Sequence, residues 1–145
     1  MNVRWAVLAS YPRDEPNGFL GLDSACFNRV IFASFPTYLV VAVALGVEPE
    51  PDDPPHWSLR PVVTGPDLRP VSNVECQFSQ PGPPAGKEPI QPRLKFTVLH
   101  QGPYRIAWLS GDGRDEQAPT TIWTSTRVTP ILPNAARSRT WGSSI

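Results

Sequence analysis

Four side chains in this 145-residue sequence could ligate a transition metal: Cys26, His56, Cys76 and His100. No two of them stand at the two-to-four-residue spacing that structural zinc sites use, so no metal centre is expected. His56 reads as a solvated loop histidine and His100 as a turn residue. For nucleophilic chemistry, Gly21-Leu22-Asp23-Ser24-Ala25 has the outline of a nucleophile elbow. It lacks the second glycine and no helix follows, so Ser24 reads as a small polar residue on the outer face of a strand. Glu48, Glu50, Asp52 and Asp53 crowd one proline-broken loop, but acid–base catalysis needs carboxylates buried at fixed geometry, and such a loop is expected to be hydrated. Gly111-Asp112-Gly113-Arg114-Asp115-Glu116 gathers oxygen ligands on a turn without the regular carboxylate spacing of a calcium loop; it reads as a hairpin turn. A phosphate-cradling glycine loop is absent. The sequence therefore predicts no catalytic residue, no metal and no cofactor.

Charge narrows the partners. Lys and Arg total 13 and Asp and Glu total 13, so the net charge is zero, where a general nucleic-acid binder carries a basic surface. Arg137 and Arg139 near the C-terminus are two charges that contribute little against salt. Nucleic acid is not an expected partner. The longest apolar run, Leu39 to Leu45, is far shorter than a membrane span. The opening Met1 to Ser10 has one basic residue and too short an apolar stretch for a secretory signal, so it reads as a first strand. The expectation is a cytoplasmic chain without a membrane segment, its two cysteines free thiols.

Those side chains must be carried by strands. Proline occupies 19 of 145 positions, against an ordinary share of about 5%, and each interior proline costs a helix about 3 kcal/mol. Val3, Trp5, Val7 and Ala9 alternate with Asn2, Arg4, Leu8 and Ser10, a half-buried strand of period two. Pro12 to Pro16 reads as a polar turn, Asn17-Gly18 as a turn dipeptide, Phe19 to Phe27 and Val30 to Phe35 as strands. Leu39 to Leu45, bounded by Pro36 and Gly46, reads as a buried strand. Further strands are expected at Trp57–Thr64, Val71–Phe78, Leu94–Leu99, Tyr104–Leu109 and Thr120–Val128. Pro61 demotes its strand to an edge or a bulge. Two long loops, 48–56 and 79–92, interrupt the series. About eight short strands with turns every 8–14 residues describe an antiparallel β-sandwich or barrel. The domain is expected over 1–129, with a mobile tail at 130–145.

Gly102-Pro103-Tyr104-Arg105-Ile106 resembles the tyrosine corner of immunoglobulin-like sandwiches, in which a Tyr opening the penultimate strand bonds back to the preceding connection. Ile106 stands where antibody domains carry a cysteine, so the antibody bridge is missing. A second resemblance spans most of residues 3–111. Trp5-Ala6-Val7-Leu8-Ala9-Ser10-Tyr11, Asn17-Gly18, Leu20, Phe27-Asn28-Arg29-Val30, Phe35-Pro36, then Gly102, Tyr104, Ile106 and Gly111, are similar to a family of small bacterial and phage proteins known only as a domain of unknown function. Asn28 replaces the acidic residue usual there, and Gly65-Pro66-Asp67 replaces a usual Asp-Gly turn. These are core and turn residues. The resemblance implies an immunoglobulin-like sandwich and transfers no activity.

Aromatic parity supplies the interface candidates. Trp5, Trp57 and Trp108 fall on alternations that suit a core. With Ile122, Thr124, Thr126 and Val128 inward, Trp123 and Arg127 share the outer face, and Trp with Arg is a hot-spot pairing. Their strand is expected to be an open edge, unblunted by charge or proline from Thr120 to Thr126. The function expected is a non-enzymatic interaction or structural module, self-associating or bound to a protein partner, in a phage- or defence-related setting. The competing expectation is a ligand-binding accessory domain or enzyme with its site in loops 48–56 and 79–92.

Overall fold

The computed structural model describes residues 1–9, 11–14, 20–23, 28–84, 86, 88–111 and 113–126. Within them lie ten strands: β1 (Asn2–Ala9), β2 (Tyr11–Asp14), β3 (Leu20–Asp23), β4 (Arg29–Phe32), β5 (Thr37–Glu48), β6 (Leu59–Thr64), β7 (Glu75–Gln77), β8 (Arg93–Val98), β9 (Gly102–Ser110) and β10 (Gln117–Thr126). Sheet one has the order β1-β5-β8-β7 and sheet two the order β4-β10-β9-β6, while β2 and β3 form a separate hairpin. With that hairpin and β4 set aside, the remaining seven strands follow the A-to-G arrangement of an immunoglobulin-like sandwich, ABED facing CFG. All pairings are antiparallel except β4 with β10, which is parallel. The first strand is divided. Strand β1 runs beside β5 as far as Ala9 opposite Ala42, and β4 completes the same course on the other sheet.

Alternation builds the core. Leu39, Val41, Val43, Leu45 and Val47 of β5, with Leu94, Phe96 and Val98 of the neighbouring β8, form one core with Tyr104, Ile106 and Trp108 of β9 in the other sheet, all buried. Residue parity fails at β1. A register shift between Val3 and Trp5 sends Val3 and Leu8 inward and leaves Trp5 exposed, contrary to its expected core position. The Trp5 indole instead lies over Gly46, where it occupies the space that a Cβ on Gly46 would need. Of the turn expected over Pro12 to Pro16, residues 12–14 lie instead in β2, which pairs with β3. Pro12 cannot donate to a ladder and is accommodated because this two-stranded unit is all edge. Only Glu75–Gln77 of the expected strand 71–78 pairs with β8; Val71 instead donates its N–H to Val63 O at 2.8 Å.

The register sorts the connections onto two ends. Residues 49–58, 78–92 and 111–116 gather at one, which carries both proline-rich loops; residues 33–36, 65–74 and 99–101 gather at the other, which carries Tyr104. The proline-rich end is packed. Trp57 stacks on Phe78 with centroids 4.2 Å apart and donates its Nε1–H to Gln80 O at 2.7 Å. Leu45 and Ile90 exchange backbone hydrogen bonds at 2.8 and 2.9 Å, drawing loop 79–92 against sheet one.

In loop 48–56 the Met1 ammonium meets Glu50 Oε1 at 2.8 Å and Asp53 Oδ1 at 2.6 Å. Burial pulls the ammonium pKa down, but the hydrogen bonds and charges of Asp53 and Glu50 outweigh it and hold the pKa above its usual 8.0. Burial pushes the Asp53 carboxyl up, yet the Glu50 N–H and the ammonium outweigh it and hold its pKa below the usual 3.8. A raised ammonium pKa contributes stability fully below 8.0, lost as pH rises through the folded value. A lowered carboxyl pKa contributes stability above 3.8, lost as pH falls through the folded value. Asp53→Asn is therefore expected to lower the thermal midpoint at neutral pH and to match the parent once the carboxyl is protonated. Equal midpoints at neutral pH would show that the cluster contributes nothing.

Candidate interaction surfaces

The corner is built first, because it fixes one end of the sandwich. Tyr104 enters the core from the start of β9, is 2% exposed, and donates its hydroxyl hydrogen to His100 O at 3.0 Å. Its ring packs against Phe96 with centroids 5.9 Å apart. The buried Thr124 of β10 donates Oγ1–H toward Gly102 O at 3.1 Å, which ties the same turn to the neighbouring strand. Tyr104→Phe keeps the ring and removes the donor, and is expected to cost about 1–2 kcal/mol. Urea denaturation measures this, and an unchanged midpoint would mean the hydroxyl is energetically idle.

Trp123 stands on the outer face of sheet two, 51% exposed. At Trp123 its strand is not an edge: Trp123 and Thr124 of β10 pair with both β9 and β4, and Trp123 N–H bonds to Asn28 O at 2.8 Å. There the expectation of an open final strand is corrected by the divided first strand, whose second half pairs with β10 from Trp123 to Thr126. Across the face, Arg29, Trp123 and Pro103 lie in one row, with Ile31, 60% exposed, diagonal to the indole. Arg127 lies outside the described residues. So do Ser24, Cys26, Asp112, Arg137 and Arg139 and the expected tail at 130–145.

The remaining sequence candidates are dispersed. His56 is exposed in loop 48–56, and His100 contributes its backbone to the corner. Cys76 is a free thiol on β7 whose pKa is pushed up to about 12 by burial, which keeps it protonated and unreactive at neutral pH. Glu116 is held in an ion pair by Arg105, and Glu48 by Arg4 at 2.8 Å. Among the described residues no three His, Cys, Asp or Glu side chains converge on a common point. No helix of the described residues is long and apolar enough to cross a membrane.

A cleft of about 340 Å³ opens at the corner end, where segment 65–73 faces residues 97–100; Pro66, Val71, Leu99 and Tyr104 line it with Arg69 and His100. Sequence reading missed it because its two walls are about 30 residues apart and neither carries a motif. One local signal was available: Gly65-Pro66-Asp67 marks the tight turn that raises one wall, in which Leu68 N bonds to Gly65 O at 3.0 Å.

No family model matches the sequence, and no curated protein matches it. The chain is similar to the filamin domain of Lin-41, seen in a crystal structure, at 19% identity and a TM-score of 0.36, over 68% of this chain and 83% of that one.

Proposed function

We propose that this chain is a non-enzymatic interaction module that binds a protein surface, a partner's or its own copy's, through the outer face of sheet two, with Trp123 at the centre. One observation carries the reading: a half-exposed indole sits where its strand is paired on both sides, beside the guanidinium-bearing Arg29 and diagonal to the exposed Ile31. A strand segment paired on both sides offers no backbone hydrogen bonds to a partner, so the side chains must supply recognition. Trp and Arg on a flat face are the residue types that dominate binding energy at interfaces. A bacterial cytoplasmic setting, phage- or defence-related, belongs to the same proposal and rests on the family resemblance of residues 3–111.

Site-specific photocrosslinking tests it. A benzophenone side chain at position 123 is expected to give adducts, with itself or with another protein, that a benzophenone at Asp52 in the proline-rich loop does not. Sedimentation of the purified chain then separates self-association from a distinct partner. Equal labelling from both positions, with a monomer at every concentration, would overturn the reading.

A further inference from the structure

Exposed apolar side chains are not spread evenly over the two ends. Among the described residues Leu68, Leu99, Tyr38, Val40, Ile31 and Trp123 lie toward the corner end, and Trp5 lies nearer the proline-rich end. Two of them sit at connections. Leu68 is 86% exposed at the tip of the 65–69 turn, and Leu99 is 56% exposed at the tip of the β8–β9 turn. Leu99 lines the cleft of about 340 Å³, and Leu68 stands on the turn between two of its lining residues, Asp67 and Arg69; that volume is within the range of about 300–1,000 Å³ that ligand sites occupy.

Leu68 adds a second, independent observation. It holds φ at 65°, in the left-handed region that glycine and asparagine adopt with far less strain than a branched apolar residue. Folding alone favours Gly or Asn at that position; Leu there is strained and keeps nearly its whole side chain in water. Strain of this kind is retained where a residue acts outside the fold. Charge identifies what is missing. Asp67 and Arg69 both line the cleft; Asp67 spends Oδ1 on the Arg69 N–H at 3.1 Å, which braces the turn, whereas the Arg69 side chain is in no ion pair among the described residues. Asn73, on the same wall as Arg69, donates Nδ2–H to Thr97 Oγ1 at 2.5 Å, a bond that ties the two walls together.

We propose that the cleft is a second binding site, separate from the Trp123 face, which takes a segment of a partner protein with a bulky apolar side chain next to a carboxylate. The apolar side chain enters beside Leu99 against Pro66, Val71 and Tyr104, with Leu68 next to the entrance on the turn between Asp67 and Arg69. The carboxylate meets Arg69. A concavity beside two exposed apolar residues suits an inserted side chain, whereas a lipid surface needs the exposed residues alone.

The test uses the full chain, isotope-labelled for NMR, and capped pentapeptides of sequence Ala-Phe-Glu-Ala-Ala and Ala-Leu-Glu-Ala-Ala. Controls replace Glu by Lys or the apolar residue by Ser. Saturable shifts are expected at the amides of Ser72, Asn73, Leu99 and His100, with affinity in the roughly millimolar range. The Lys and Ser controls are expected to bind roughly tenfold more weakly. Arg69→Ala should abolish the preference for Glu over Lys, and Leu99→Ser should weaken both peptides. Leu68→Asn should raise the thermal midpoint while weakening binding, a pairing of effects that a merely structural leucine would not give. Trp123→Ser should leave the titration unchanged, so failure here is distinct from failure at the sheet face. Absence of saturable shifts, shifts that follow Trp123, or indifference to Arg69→Ala would each overturn the proposal. So would co-sedimentation with phosphatidylcholine–phosphatidylserine vesicles that Leu68→Asn abolishes, since that outcome assigns the tips to a lipid surface.

Discussion

Replacing Trp108 by alanine is expected to remove about 3–5 kcal/mol of stability, a large share of the roughly 5–15 kcal/mol that holds a domain folded. Trp108 is fully buried and the largest side chain in the core, on β9 opposite Pro61 of β6 and Gln117 of β10. No rotation of its neighbours can refill that volume, because Ile106 and Tyr104 on the same strand are themselves buried in the packed interior. The corresponding fall in Tm is roughly 10–20 °C. Trp108→Phe separates two contributions. The indole Nε1–H is buried without a hydrogen-bond acceptor among the described residues, and an unsatisfied donor costs about 1–3 kcal/mol. Phenylalanine loses part of the ring but also removes that penalty, so its midpoint is expected to lie much nearer the parent's than alanine's. If phenylalanine were as damaging as alanine, the N–H would have to be making a bond that stabilises the fold.

Gly102→Ala is the second large effect, and it acts through the backbone. Gly102 opens β9 at φ +130°, a conformation that L side chains rarely adopt, and a Cβ there would lie 2.9 Å from Pro66 Cβ. The backbone strain is expected to cost about 1–3 kcal/mol, and displacement of Pro66 adds to it. Because Gly102 O accepts the Thr124 hydroxyl and His100 O accepts that of Tyr104, a shift at Gly102 loosens the whole corner. Pro66→Gly in the Gly102→Ala background should recover only the contact portion. A double-mutant cycle with no coupling would assign the entire loss to φ.

How much of this was legible in the residues depends on whether the signal is local. Tyr104 was legible because the corner is a five-residue device: a turn, a Tyr and a core residue two positions on, all set by strand parity. Trp108 followed from the same parity. Trp5 was not legible, since a single register shift between Val3 and Trp5 inverts every later residue of β1, and nothing in its composition announces a bulge. The environment of Trp123 was half legible: alternation put it on the outer face, but whether its strand was an edge depended on residues about 95 positions earlier. Loops 48–56 and 79–92 drew attention by composition. In the structure Trp57, Phe78 and Ile90 pack within or beside them, and the open cleft lies at the other end of the sandwich.

By itself the sequence determined the class of fold: proline excludes long helices, and period-two alternation bounded by Gly, Pro and Asn commits the chain to strands with one buried face. It also determined the tyrosine corner and the outward aspect of Trp123, because both follow from the pleat of a single strand. Only the tertiary structure decided which strands share a sheet, how the first strand divides between them, and that Val71, Leu99 and Arg69 line one cleft. Those outcomes depend on pairing energies between segments far apart in the chain, set by burial and backbone hydrogen bonding across the sandwich, and no local pattern encodes them.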